Sequence, residues 1–138
     1  MKGYYTMDEM MNAATFAEMD LSPRMLSAIE AMGFEQPTEI QARAVPLIRT
    51  GCDVIGRSQT GTGKTVAFAI PALERIDPEE ESVQVLILCP TRELAQQGCE
   101  QIKKLCKFMM HIYPVDVYGG AAMERQIQRL KKANLVIG

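Results

Sequence analysis

The sequence predicts an α/β fold, a parallel sheet flanked by helices, and three observations predict it. Continuous apolar runs, Val83 to Cys89, Ile112 to Tyr118 and one beginning at Leu135, alternate with stretches of helical periodicity. Runs of this kind belong to strands covered on both faces rather than to half-exposed antiparallel strands. Between the stretch Asp53 to Arg57 and a helical run from Lys64 stands Ser58-Gln59-Thr60-Gly61-Thr62-Gly63-Lys64-Thr65, a glycine-rich loop where a strand is expected to turn into a helix. A chain of 138 residues, 47% of them hydrophobic, has room for one domain with a real core.

Taken in order, residues 1–15 are rich in methionine and without period, which predicts a flexible leader ahead of a domain covering 16–138. Ser22-Pro23 is an N-cap followed by proline at the first helical position. Met25, Ala28, Ile29 and Met32 then recur at helical spacing until Gly33. Thr38-Glu39-Ile40-Gln41 has capping-box spacing and opens a second helix that Gly51 ends, with a kink or break expected at Pro46. From Asp53 the expected order is strand Asp53 to Arg57, helix Lys64 to Ile76, strand Val83 to Cys89, helix Glu93 to Phe108, strand Ile112 to Tyr118, helix Ala122 to Lys132, and a strand from Leu135. The acidic Asp77-Pro78-Glu79-Glu80-Glu81 reads as an exposed connection. The sequence stops at Leu135-Val136-Ile137-Gly138, inside an expected strand, which predicts an incomplete sheet and a piece of something longer.

Composition narrows the classes. The longest apolar runs fall far short of a membrane span and no secretory leader pattern opens the chain, so a cytoplasmic protein is expected. Cys52, Cys89, Cys99 and Cys106 form no Cys-x-x-Cys pair and His111 adjoins none of them, which argues against zinc and for reduced, buried thiols. Net charge is −2, yet residues 101–138 carry 7 basic against 2 acidic side chains, where residues 1–100 carry 8 against 15. The last third could therefore face a polyanion, although a solvated lysine face explains Lys103, Lys104 and Lys107 as well.

The loop Ser58 to Thr65 carries the clearest chemistry. Polyphosphate needs several donors converging on a small volume, which backbone N–H groups at a helix N-terminus provide. Gly61 and Gly63 let the backbone curl, Lys64 reaches phosphate, and the Thr65 hydroxyl is placed to ligate Mg²⁺. Gln41 has two readings, the reciprocal cap on Thr38 or a donor and acceptor pair for an adenine edge, and nothing local chooses between them. Pro90-Thr91-Arg92-Glu93-Leu94 follows an expected strand, where ligands of open α/β sheets bind; Thr91 and Arg92 suit a phosphodiester backbone, and equally a helix cap and a solvated arginine. Gly119-Gly120 is a turn that also permits close approach of a ligand.

Together these residues resemble the first RecA-like domain of a DEAD-box RNA helicase, a P-loop NTPase fold. Phe16, seventeen positions before Gly33, and Gly33-Phe34-Glu35-Gln36-Pro37-Thr38-Glu39-Ile40-Gln41 resemble that family's Q motif. Ser58 to Thr65 fits its motif I, where alanine or serine replaces the first glycine of the general pattern. Pro90 to Leu94 resembles motif Ia, Gly119-Gly120 the glycine doublet, and Gln126-Ile127-Gln128-Arg129 the Q-x-x-R element.

The resemblance implies an ATP-dependent RNA helicase with ATP and Mg²⁺ as cofactors and RNA as partner. It implies that Phe16, Phe34, Thr38 and Gln41 surround adenine and that Ser58, Gln59, Thr60, Gly61, Thr62, Gly63, Lys64 and Thr65 hold the triphosphate. Lys64 and Thr65 are the expected catalytic residues and Thr65 the metal ligand. Pro90, Thr91, Arg92, Gly119, Gly120 and Arg129 would lie along the RNA backbone, with Gln126 and Arg129 also bracing that surface. In the family, T-P-G-R, the Asp-Glu-Ala-Asp motif, Ser-Ala-Thr and a second RecA-like domain follow the position of Gly138. Because the family draws its Mg²⁺-organising carboxylate and arginine finger from those parts, residues 1–138 by themselves are expected to bind nucleotide weakly and not to turn over. The alternatives are a non-catalytic nucleotide- or RNA-binding module, and an unrelated P-loop enzyme sharing only Gly61 to Thr65.

Overall fold

The computed structural model describes residues 13–61 and 63–138. Most of the expected leader and Thr62 lie outside the described residues. Packing divides the chain into two compact units, one ending at Glu74 and one running from Arg75 to Gly138, where one unit was expected.

The first unit is helical. A 3₁₀ turn, Phe16–Met19, precedes α1 (Pro23–Ala31), α2 (Glu39–Arg49) and α3 (Lys64–Glu74). The Ser22 hydroxyl caps α1 by accepting from the Met25 N–H at 3.2 Å. The same hydroxyl donates to the Glu74 carboxylate at 2.6 Å, and the Ser22 backbone N–H does so at 3.0 Å, tying the start of α1 to the end of α3. The expected break at Pro46 does not occur, and α2 passes through it. Proline removes the donor that the Ala42 carbonyl would otherwise receive. That carbonyl instead accepts the N–H of Ala13 at 3.4 Å.

Met25, Val45, Val66, Ile70 and Leu73 are fully buried and, with Phe16, make this unit's core. Each such side chain contributes roughly 1.5–3 kcal/mol by leaving water. Residues 52–59 are not a strand, contrary to the expectation for Asp53 to Arg57. Extended apolar sequence makes a strand only when a neighbour supplies the ladder of hydrogen bonds, and among the described residues none pairs with this segment.

The second unit holds the sheet. Its strands β1 (Val85–Ile87), β2 (Pro114–Asp116) and β3 (Leu135–Ile137) are parallel in the order β1-β3-β2. The register sets Leu135 against Val85 on one side and Pro114 on the other. Two crossover helices, α4 (Arg92–Leu105) and α5 (Met123–Leu130), join them.

Alternation along β3 divides its side chains between the two faces. Ile137 meets α4 at Gly98, where a Cβ would stand 2.7 Å from the isoleucine Cδ1, so the helix lies close against the strand. Val136 packs with Val115 and Ala133 against Leu130 of α5. The flanked parallel sheet is therefore present, with all of β3 buried. Coverage is incomplete at β1, where Leu86 is exposed.

A phosphate-loop site and a clamped glycine doublet

In the first unit the site grows from the start of α2. Thr38 and Gln41 form the reciprocal cap, Gln41 Oε1 accepting the Thr38 N–H at 3.0 Å. This orients the Gln41 amide so that Nε2 donates to the carbonyl of Gly63 at 3.2 Å, across 22 residues of sequence. The Gly63 carbonyl also accepts the N–H of Ala67 at 3.0 Å, which starts α3. Gly63 has φ +83°, and a Cβ there would stand 2.3 Å from Gln41 Nε2 and 3.3 Å from Thr38 Oγ1. Only glycine allows the loop to rest on the head of α2 in this way.

Lys64, the first residue of α3, folds back over the loop. Its ammonium donates to the carbonyls of Ser58 at 2.5 Å and Gln59 at 2.9 Å. The loop is thus wrapped around a cation at a helix N-terminus, where the helix dipole is also positive. Thr65 follows, half-buried.

The fit to a polyphosphate rests on this cradle. Gly63 admits no side chain, the ammonium can exchange two carbonyls for phosphate oxygens, and the donors of the first helical turn face the same end. Phe16 is a buried core residue rather than an exposed platform, and Phe34 is half-buried after Gly33, its N–H on the Ile29 carbonyl at 3.3 Å. A groove of about 550 Å³ runs between α2 and residues 54–59, with Thr38, Ser58 and Gln59 on its rim. The lysine, Gly61 and Gly63 do not line it, so it meets the phosphate cradle through Ser58 and Gln59.

In the second unit the residues singled out gather at the carboxyl ends of β1 and β2. Thr91 caps α4, its hydroxyl accepting the Leu94 N–H at 3.3 Å. Arg92 is exposed and bonds Glu93 at 2.9 Å. That hydrogen bond and the neighbouring charge hold the guanidinium above its ordinary pKa and the Glu93 carboxyl below its own. Gly120, at φ +87°, lies beside Arg92, whose Nη1 would be 3.7 Å from a Cβ at this glycine.

Gln126 clamps the doublet's flanks. Its Oε1 accepts the Tyr118 N–H at 2.9 Å, and its Nε2 donates to the carbonyls of Tyr118 at 3.1 Å and Ala121 at 3.4 Å. Arg129, expected along a ligand backbone or bracing that surface, donates to Asp116 at 2.5 Å. Burial pushes the Asp116 carboxyl up, but the hydrogen bond from Arg129 and the charges of Arg129 and Lys103 outweigh it and hold the pKa below its ordinary value. The sequence reading passed over Asp116, although a carboxylate in the middle of the apolar Val115-Asp116-Val117 signals a cationic partner.

A glycine loop, a lysine at a helix N-terminus and a parallel sheet define a P-loop nucleotide-binding α/β protein. The family model for the DEAD/DEAH box helicase matches residues 38–138, and the chain belongs to that family. It is 47% identical over 126 residues to the RNA helicase CrhR of Synechocystis sp., covering 91% of this chain and 25% of that protein. It is 46% identical over 126 residues to the DEAD-box ATP-dependent RNA helicase CshA of Bacillus cereus, covering 90% and 24%. A DEAD box protein from the hyperthermophile Methanococcus jannaschii has a crystal structure similar to it with TM-score 0.86 and 39% identity, covering 91% of this chain and 34% of that one. The chain spans about a quarter of the length of these curated relatives. Among the described residues no helix is long and apolar enough to cross a membrane, and no cluster of side chains could by itself hold a metal ion.

Proposed function

We propose that this chain is the nucleotide-binding portion of a cytoplasmic ATP-dependent RNA helicase, and that it works with a second RecA-like domain. The observation that carries the reading is the contact among Gln41, Gly63 and the loop around Lys64. It joins a group that can read a base to a cradle that can hold its phosphates. Gln41 is only 2% exposed, yet it keeps a second amide N–H and a second oxygen lone pair beyond its two bonds, and these complement an adenine edge. Capping and base recognition are therefore compatible.

Lys64 holds phosphate by exchanging the Ser58 and Gln59 carbonyls. Gly61 and Gly63 keep the approach open to backbone donors, and the Thr65 hydroxyl is the ligand for Mg²⁺. When bound, Mg²⁺ neutralises developing charge on the phosphoryl oxygens. Arg92, Thr91 and the doublet at Gly119 and Gly120 supply exposed donors and close access for an RNA backbone. Arg129 supports this surface through Asp116.

Calorimetric titration with Mg-ADP and Mg-GDP, beside Gln41→Ala, tests the reading. Preference for ADP in the wild type that disappears in a folded Gln41→Ala protein is expected. Equal affinities for ADP and GDP in the wild type, or an undiminished preference in the variant, would remove Gln41 from base recognition.

A further inference from the structure

The segment that leaves β2 carries an aromatic side chain that none of the roles above employs. Residues paired across parallel strands share a face, so Asp116 lies with Ile137 on the α4 side of the sheet and Val115 with Val136 on the α5 side. Val117 still packs with Val115 on the α5 side. Tyr118, the next residue, therefore continues the α4 side at the end of the sheet where that helix begins.

Two arginines approach it from opposite faces. Arg92 is the first residue of α4. Arg129 starts from α5 and reaches Asp116 on the α4 side, so its side chain passes over β2, which among the described residues pairs only with β3. Arg92 and Arg129 are held above their ordinary pKa first by the hydrogen bonds to Glu93 and Asp116, and the Tyr118 phenol is near enough to add to both.

The tyrosine is anchored, yet its polar end is not engaged. Gln126 holds the Tyr118 N–H at 2.9 Å and its carbonyl at 3.1 Å. Among the described residues these backbone bonds are its only hydrogen bonds, and the half-buried side chain keeps its hydroxyl uncommitted.

We propose that the Tyr118 hydroxyl reads the ribose 2′-hydroxyl of a strand lying on the glycine doublet, and so sets a preference for RNA over DNA at this end of the sheet. The role presupposes that Arg92 and the doublet take an RNA backbone. Guanidinium and backbone N–H groups only donate, and a phosphodiester offers them the same oxygens in RNA and in DNA. A 2′-hydroxyl both donates and accepts, and it is what distinguishes the two sugars. A phenol complements it in either direction. The neighbouring candidates are already engaged: the Thr91 hydroxyl accepts the Leu94 N–H, and the Gln126 amide is committed to three backbone groups.

The test is fluorescence anisotropy of the full chain with labelled oligouridylate and oligodeoxyuridylate of equal length, which differ only in the 2′-hydroxyl. Wild type, Tyr118→Phe and Arg92→Ala are compared, each with its thermal unfolding curve. Tyr118→Phe keeps the ring and removes one oxygen. Wild type is expected to prefer the ribose strand. Tyr118→Phe should weaken that strand roughly fivefold, leave the deoxyribose strand unchanged and unfold at the wild-type temperature. Arg92→Ala should weaken both strands alike.

A ribose preference that Tyr118→Phe leaves intact, or equal losses on both strands, would overturn the role of the hydroxyl while the Arg92 surface stands. Undiminished binding of both strands in Arg92→Ala, or no binding by folded wild type, would take the RNA backbone from this surface and the Tyr118 role with it.

Discussion

The glycine loop of the first unit is held by Lys64 on the carbonyls of Ser58 and Gln59, whereas the glycine doublet of the second is held by Gln126 on the backbone of Tyr118 and Ala121. In the first case the group proposed to meet the ligand is also the group that shapes the loop. Phosphate binding there would exchange existing bonds. In the second case the shaping group is distinct from Thr91, Arg92 and the glycines. That loop would keep its form while its donors engaged a ligand. Substitutions should therefore couple stability and binding at the first loop and separate them at the second.

The largest expected effect is at Gly63. Gly63→Ala drives a Cβ onto the Gln41 amide at a backbone angle that favours glycine, and should cost roughly 2–4 kcal/mol of stability. Thermal unfolding and ADP titration should show both stability and affinity lost together. Affinity lost at unchanged stability would show that the loop relaxes independently of α2.

Gln126→Ala should come next. Removing the clamp costs roughly 1–2 kcal/mol and lowers RNA affinity about tenfold, while nucleotide affinity is unchanged. A parallel fall in nucleotide affinity would break the comparison. Gln126→Glu keeps the acceptor for the Tyr118 N–H but turns an acceptor oxygen on the Tyr118 and Ala121 carbonyls, and should recover none of the loss.

The smallest effect belongs to Asp116→Asn, roughly 1 kcal/mol near neutral pH. The Asp116 carboxyl is held below its unfolded pKa, so its contribution is present above that value, about 3.9, and disappears as pH falls through the folded one. Denaturation curves of wild type and variant should differ at pH 6 and converge below about pH 4. Curves that stay parallel into acid would show that the Arg129 pair adds nothing.

Local signals in the sequence reached much of this. Capping residues fixed the starts of α1, α2 and α4, because caps act within four positions. The loop from Ser58 to Lys64 was legible from residue types alone. Pairing was not: Asp53 to Arg57 has the composition of a strand, but a strand needs a neighbour, and no local pattern supplies one.

Distance in sequence hid other features. Gln41 was legible as a cap, yet its bond to Gly63 spans two elements. The direction of Arg129 depended on Asp116 thirteen positions earlier. Pro46 was read as a kink or a break because its missing donor was visible and the replacement from Ala13 was not.

Strand order also fixes when the second unit can assemble during synthesis. Among the described residues β1 and β2 pair only with β3, which is made after both. On the ribosome the apolar β1 and β2 segments therefore wait, without a ladder partner, through the translation of α5. The nascent chain is most exposed to misassociation or chaperone capture during that interval, which ends when residues 135–137 emerge.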